Sequence, residues 1–295
     1  MKKLITTGIF LLMGTIMVMG ISPYLRIADM DGNMNQAREK VLSVLKETGY
    51  DILGQYQPGT NPDLYVVVFT DEKIKGLCRK VKDQGMLAAA MKVGFQKNGT
   101  KIEISILNPE YLFYAYFREK MNETSIKSSA MSVSKGIKAD LRGIGSLSVP
   151  FGGDESAGDL IKYRYMAGMP GFDKQVKLAE FADFKRGVEV IRNNLKKEKG
   201  KTVKVYEIID ERSKIAVFGV GFSNPEDGEA HFLPIIGESH IAALPYEVIL
   251  ENNKAFMLHG RYRLALHWPE LTMGTFTKIM SSPGDIEDAM ELLMD

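Results

Sequence analysis

The chain has 295 residues, 45% hydrophobic and 25% charged, enough apolar side chain to bury a core and enough length for about two domains, so disorder is excluded as its main state. Lysine plus arginine (38) against aspartate plus glutamate (37) leaves a net charge of +1, which excludes the broad basic field of a nucleic-acid binder. A single cysteine excludes an internal disulfide, a Cys-x-x-Cys redox pair and a cysteine-rich zinc site.

Lys2 and Lys3 precede an apolar run from Leu4 to Ile21, the pattern of a secretory signal. Val18 and Gly20 put cleavage after Gly20, although Val18-Met19-Gly20 is a weak form of the small-x-small site. The run also approaches the ~18 residues at which a membrane span becomes feasible. An uncleaved anchor with its lysines in the cytoplasm is therefore the alternative for residues 1–22. No cysteine follows the run, which excludes a lipoprotein anchor. Either way the body is expected to be exported, to a bacterial periplasm or cell envelope, touching the membrane only through this segment if it stays uncleaved. Losing both lysines would leave 36 basic and 37 acidic residues, still near neutrality.

From Asn35 to Thr48 the residues Ala37, Val41, Val44, Leu45 and Thr48 share one helical face, and Gly49 follows where a helix end favours glycine. Tyr50 to Gln55 then reads as a strand, Gln57-Pro58-Gly59 as a turn and Leu64 to Phe69 as a buried strand of β-branched and aromatic residues. Thr70-Asp71 caps a second helix with Ile74, Leu77, Cys78 and Val81 on its apolar stripe, where the thiol is expected to be core. Met91 to Phe95 and the alternating Ile102, Ile104 and Ile106 predict a hairpin turning at Asn98-Gly99. Asn108-Pro109-Glu110 ends it and opens an aromatic helix from Tyr111 to Met121, with rings all round it and some therefore expected in solvent.

The order recurs. A helix with Phe184, Val188, Ile191 and Leu195 leads to strands from Thr202 to Ile209 and Ile215 to Phe222, and a third strand starts at Ala243-Leu244-Pro245. Arg261 to Trp268 alternates and predicts the fourth, its hairpin turning at Asn252-Asn253 or at His259-Gly260. Ala89 to Val93 corresponds in placement to Ala243 to Val248, and Leu107-Asn108-Pro109-Glu110 to His267-Trp268-Pro269-Glu270. The expected fold is α+β, two tandem copies of a small helix-on-antiparallel-sheet unit over residues 30–145 and 183–295, joined by a glycine-rich connection at 146–182. Within that connection Ile161, Tyr163 and Tyr165 alternate as a short strand would.

Ser223-Asn224-Pro225, Leu244-Pro245-Tyr246-Glu247-Val248 and Trp268-Pro269 make the second copy resemble the bacterial domain of unknown function numbered 302. That family runs helix, strand, a strand often ending in Asn-Pro, helix, then a Leu-Pro strand paired with one that ends at a proline. The first copy has Thr70-Asp71 and Ala90-Met91 where the prolines would stand, and keeps Asn108-Pro109. The resemblance covers most of residues 33–295 and implies a small α+β fold. The family has no established activity, so it brings no catalytic residue or cofactor.

All four histidines lie between 231 and 267, which raises a metal hypothesis that spacing weakens. On one strand His259 and His267 would stand about 26 Å apart at roughly 3.3 Å per residue. His231 and His240, with Glu229 and Glu238, have no helical ligand spacing and no specified third ligand, so no metal is expected. Gly219-Val220-Gly221 and Gly152-Gly153 lack the remainder of any dinucleotide or phosphate fingerprint, so no cofactor is expected. Glu238-Ser239-His240 lacks the second glycine of a nucleophile elbow. The Arg261–Trp268 strand would present Arg261, Arg263 and His267 as a cationic row able to hold a carboxylate or phosphate, unless Glu247 or Glu251 pairs with those arginines from a neighbouring strand.

The expectation is a non-catalytic periplasmic module that binds an anionic small molecule or an envelope protein, with Arg261, Arg263, His267 and His240 as candidate ligand-binding residues and no nucleic acid among its partners. Two alternatives stand beside it. One is an envelope enzyme using His240 or His267 as general base, which requires an acid within about 3 Å of the ring. The other is a purely structural module.

Overall fold

The structure, a computed structural model, describes residues 20–166 and 168–295. The proposed signal or anchor spans residues 1–22, of which residues 1–19 lie outside the described residues. In chain order the elements are β1 (Tyr24–Asp31), α1 (Met34–Glu47), β2 (Asp51–Tyr56), β3 (Leu64–Thr70), α2 (Glu72–Cys78), β4 (Met91–Asn98), β5 (Lys101–Leu107), α3 (Pro109–Phe117), α4 (Thr124–Asp140) and β6 (Val149–Phe151). After α5 (Ala157–Ile161) come β7 (Val176–Glu180), α6 (Phe184–Lys196), β8 (Thr202–Asp210), β9 (Ile215–Phe222), α7 (Glu229–Ile236), β10 (Tyr246–Glu251), β11 (Lys254–Met257), α8 (Gly260–His267), α9 (Met273–Phe276) and α10 (Ser282–Glu291). The fold is α+β. Among the described residues no helix is long and apolar enough to cross a membrane.

Two antiparallel sheets carry the chain, with strand orders β2-β3-β4-β5-β1-β6 and β7-β11-β10-β9-β8. In each, a strand, a helix and four further strands with a helix between the middle two make a meander whose last strand pairs with the strand that began the unit. The local causes are those the sequence announces. Asn33 accepts from Gln36 N–H while the Gln36 side chain caps back, a capping box that starts α1. Asp71 caps α2 by accepting from Ile74 N–H. Every residue of β3 is buried, so both sheet faces are covered, which accounts for its unbroken apolar run.

Hairpin positions follow from the pairing. Asn98 pairs with Lys101, so the first turn is Gly99-Thr100, one residue later than Asn98-Gly99, and Gly99 takes the positive φ of +62°. Glu251 pairs with Lys254, which puts the second turn at Asn252-Asn253 with Asn252 at φ +54°.

Several expectations are corrected. Arg261 to Trp268 is not a strand but α8 with its cap, and the strand that pairs with β10 in the hairpin is the short β11. Consequently it is His259, and not Trp268, that stands in the placement of Asn108, each lying between the last hairpin strand and a helix and accepting from one of that helix's first N–H groups. Ile161 closes α5, and Tyr163 and Tyr165 follow it in irregular chain. The rings of Tyr111, Phe113, Tyr114, Tyr116 and Phe117 are all buried, because α3 is enclosed by its own unit on one side and by α8 on the other. The first sheet also recruits β1 and β6, on either side of the 30–145 span.

The two units meet through β2 on β8, through the turn Pro58–Thr60 on α7, and through the 3₁₀ segment Glu238–Ala243 on β4. At the second contact Glu229 is buried, accepting from the Tyr56 hydroxyl and the Gly59 N–H at 3.0 Å each. Burial pushes its carboxyl up to about 7 against the pull of those hydrogen bonds. A raised acid stabilises the fold fully below its unfolded pKa near 4.5, and that contribution is lost as pH rises to about 7, roughly 3 kcal/mol in all. Glu229→Gln cannot titrate. Its unfolding free energy relative to the parent is therefore expected to improve by about that amount between pH 4.5 and pH 7, as measured by urea denaturation at the two pH values. A constant difference would show an ordinary carboxyl.

Candidate functional site

Helix α8 sends the candidate residues in different directions. Side chains two apart on a helix point about 200° apart and those four apart within about 40°. Arg263 and His267 therefore share the inward face, where both are buried, and Arg261 stands exposed on the opposite one. They form no cationic row. His259 and His267 lie about 12 Å apart along the axis at roughly 1.5 Å per residue.

A buried helix end must satisfy its last carbonyls, and this one does so with tyrosines from elsewhere in the chain. The Trp268 N–H takes the Leu264 carbonyl at 2.8 Å. The hydroxyls of Tyr163, Tyr111 and Tyr24 take those of Ala265, Leu266 and His267 at 2.7, 2.7 and 2.8 Å. Trp268, also buried, donates its ring N–H to the Gly237 carbonyl. These bonds lock α8 between the units.

Inward of α8 lies a charged centre. Arg263 Nε donates to Glu247 Oε2 at 3.2 Å, and Lys92 from the first unit pairs with Glu247 Oε1. Arg263 Nη2 and Lys92 Nζ converge on the carbonyls of Ala243 and Pro245. The guanidinium lies 3.7 Å over the Tyr246 ring. Burial, reinforced by Arg263 and partly offset by Glu247, pulls the Lys92 ammonium down to about 8. The pairing with Glu247, raised as the alternative to an anion site, is thus what occupies Arg263, and the reason is burial: an enclosed guanidinium needs a carboxylate.

Both candidate histidines are enclosed. His267 Nε2 meets the Tyr116 hydroxyl at 3.2 Å, and burial followed by the charges of Arg263 and Lys92 pushes its pKa well below the ordinary histidine range. His240 packs edge-on against Tyr24 at 4.9 Å and beside Phe151 and Trp268, with the Ser239 hydroxyl at 3.4 Å its one hydrogen-bond partner among the described residues, and burial pushes it down to about 4. Both are neutral at pH 7, and neither is hydrogen-bonded to a carboxylate, the orienting acid that a general base would require. Among the described residues no group of three His, Cys, Asp or Glu side chains could hold a metal ion. Cys78 is buried and free, its thiol pushed up by burial.

The outward side of α8 is different. Between it, the connecting segment and α9 lies a groove of about 220 Å³ lined by Tyr165, Met166, Met169, Leu264, Ala265, Leu271, Met273, Phe276, Thr277 and Met280, with Arg261 the one charged residue in the lining among the described residues. Of the six large apolar side chains exposed among the described residues, Met166, Met273 and Met280, at 46, 52 and 57%, lie in this lining. Exposed apolar surface concentrated in one place marks an interaction site more often than scattered residues do. Arg261 makes no ion pair among the described residues.

Of the four candidates, then, the structure gathers Arg263, His267 and His240 around the buried centre and leaves Arg261 at an open site. The methionines were missed by sequence reasoning. Their signal was negative: Met166, Met169, Met273 and Met280 belong to no apolar stripe, so no core was waiting for them.

No protein-family model matches the chain, and no curated protein matches it. Among solved structures it is similar to one described as an uncharacterized conserved protein DUF302 from Bacillus stearothermophilus, with 17% identity, 41% of this chain and 97% of that chain covered, and a TM-score of 0.34.

Proposed function

We propose that the chain is an exported, non-catalytic binding protein made of two diverged copies of one unit related to the domain of unknown function 302, which holds a small ligand in the groove outside α8. The groove carries the reading: a concave, largely apolar surface with a single unpaired cation is the ordinary form of a ligand site. The buried histidines favour binding over catalysis, being neutral and without an orienting acid. Support for duplication comes from the matching strand orders β2-β3-β4-β5-β1 and β8-β9-β10-β11-β7. Support for export is the lysine-flanked apolar run before Ile21.

The test has two readouts. Expressed from its own start in a Gram-negative host, the chain is expected in the periplasmic fraction beginning at Ile21; full-length cytoplasmic chain would refute export. The purified protein is expected to raise the fluorescence of the uncharged dye Nile red, and Met273→Glu, an exposed substitution, to abolish most of the rise. Equal fluorescence from both proteins would remove the groove from consideration.

A further inference from the structure

We infer that the groove's ligand is an amphipathic anion, a medium-length alkyl chain ending in a carboxylate, with Arg261 pairing the head and the methionines enclosing the tail. The inference rests on the groove being a binding site and goes further by naming the chemistry of its occupant.

The charge argument starts from the helix. Arg261 and Arg263 are two residues apart, so the same turn that buries Arg263 against Glu247 aims Arg261 outward. Its backbone N–H is taken by His259 Nδ1 at 3.2 Å, and its guanidinium has no carboxylate partner among the described residues. An accessible, unpaired guanidinium offers two parallel N–H donors to a carboxylate. Beside it the lining is apolar, Leu264 on the helix and Met166, Met273, Phe276 and Met280 around it. Among the described residues no acidic side chain lines the groove to repel an anionic head.

Size and plasticity narrow the occupant. A volume of about 220 Å³ lies below the roughly 300–1,000 Å³ of drug-sized pockets, so it suits one short chain and not a two-chain lipid. Thioether side chains have three soft torsions and adapt to a flexible partner, as methionine-rich binding surfaces do. A bare phosphate would leave the apolar lining unused, and an uncharged hydrocarbon would leave Arg261 unused.

The experiment is calorimetric titration of the purified chain and of Arg261→Gln with decanoate, decanol and decyltrimethylammonium, each below its aggregation concentration. Decanoate is expected to bind at least about tenfold more tightly than decanol, and decyltrimethylammonium more weakly than either. In Arg261→Gln the preference for decanoate should fall to within about twofold while decanol binding stays unchanged. Equal affinity for decanoate and decanol in the parent, or a preference that survives in the variant, overturns the inference and leaves groove binding standing. Nile red fluorescence with no binding of any of the three does the same. Silence in both assays removes the groove reading as well. Binding to vesicles containing anionic lipid, but not to monomeric decanoate, would assign the face to a membrane surface and overturn the inference.

Discussion

Glu247→Gln is expected to destabilise the protein by about 3–5 kcal/mol, lowering the melting temperature by about 10 °C or more. Among the described residues Glu247 is the only carboxylate in contact with both Lys92 and Arg263, and all three side chains are buried. Removing its charge leaves two cations sharing the carbonyls of Ala243 and Pro245 with nothing to balance them. Lys92→Met should cost less, because Arg263 keeps its carboxylate. The deficit of Glu247→Gln should narrow as pH rises from 7 towards 10, since Lys92, already held near 8 in the parent, gives up its proton more readily once Glu247 loses its charge. Chemical denaturation across that range measures both effects. A loss below about 1 kcal/mol at pH 7 would mean that the centre is open to water.

Gly54→Ala is expected to cost about 3 kcal/mol or more. Gly54 sits in β2 where that strand meets β8, and a Cβ there would fall far inside van der Waals contact distance of the Val205 carbonyl oxygen. The obstacle is backbone, so no rotamer change relieves it, and the two units must separate or β2 must shift. Gly76→Ala is the matching control. Gly76 lies within α2, and a Cβ there meets nothing within 4 Å, so the substitution should be neutral to stabilising by up to about 1 kcal/mol, because alanine suits a helix interior better than glycine does. Thermal denaturation of both variants against the parent decides it; a Gly54→Ala protein as stable as the parent would mean that the β2–β8 contact is loose.

What was legible in advance had a local cause. Helix α1 ends at a glycine and begins at a capping box, Asp71 and Asn108 start their helices, and the isoleucines of β5 alternate, so these elements could be placed from short stretches of chain. Cys78 could be assigned to the core because α2 has one wet face and one dry one. Periodicity reports a face only when the other face sees water. That condition fails in α8, where Tyr262 to His267 are all buried, and in α3, which is enclosed all round. Their sequences carry little helical period, and the alternation of Arg261 to Trp268 imitated a strand. The remaining hint was composition: arginine, leucine and alanine with no β-branched residue favour a helix.

Arg263, His267 and His240 could be named from sequence as candidates, and their fate could not. Burial of a charge depends on a carboxylate and carbonyls brought from other elements, Glu247, Ala243 and Pro245, and on tyrosines at positions 24, 111 and 163 that close the end of α8. The groove is likewise assembled from Tyr165, Met166 and Met169 and from residues between 261 and 280, which are separated in the chain by the whole second sheet. The sequence by itself determined the α+β class, most strand and helix positions and the absence of a general basic field. Only the tertiary structure decided that one arginine of a pair two residues apart is locked in an ion pair and the other left free, because that depends on which side of a helix faces protein and which faces water.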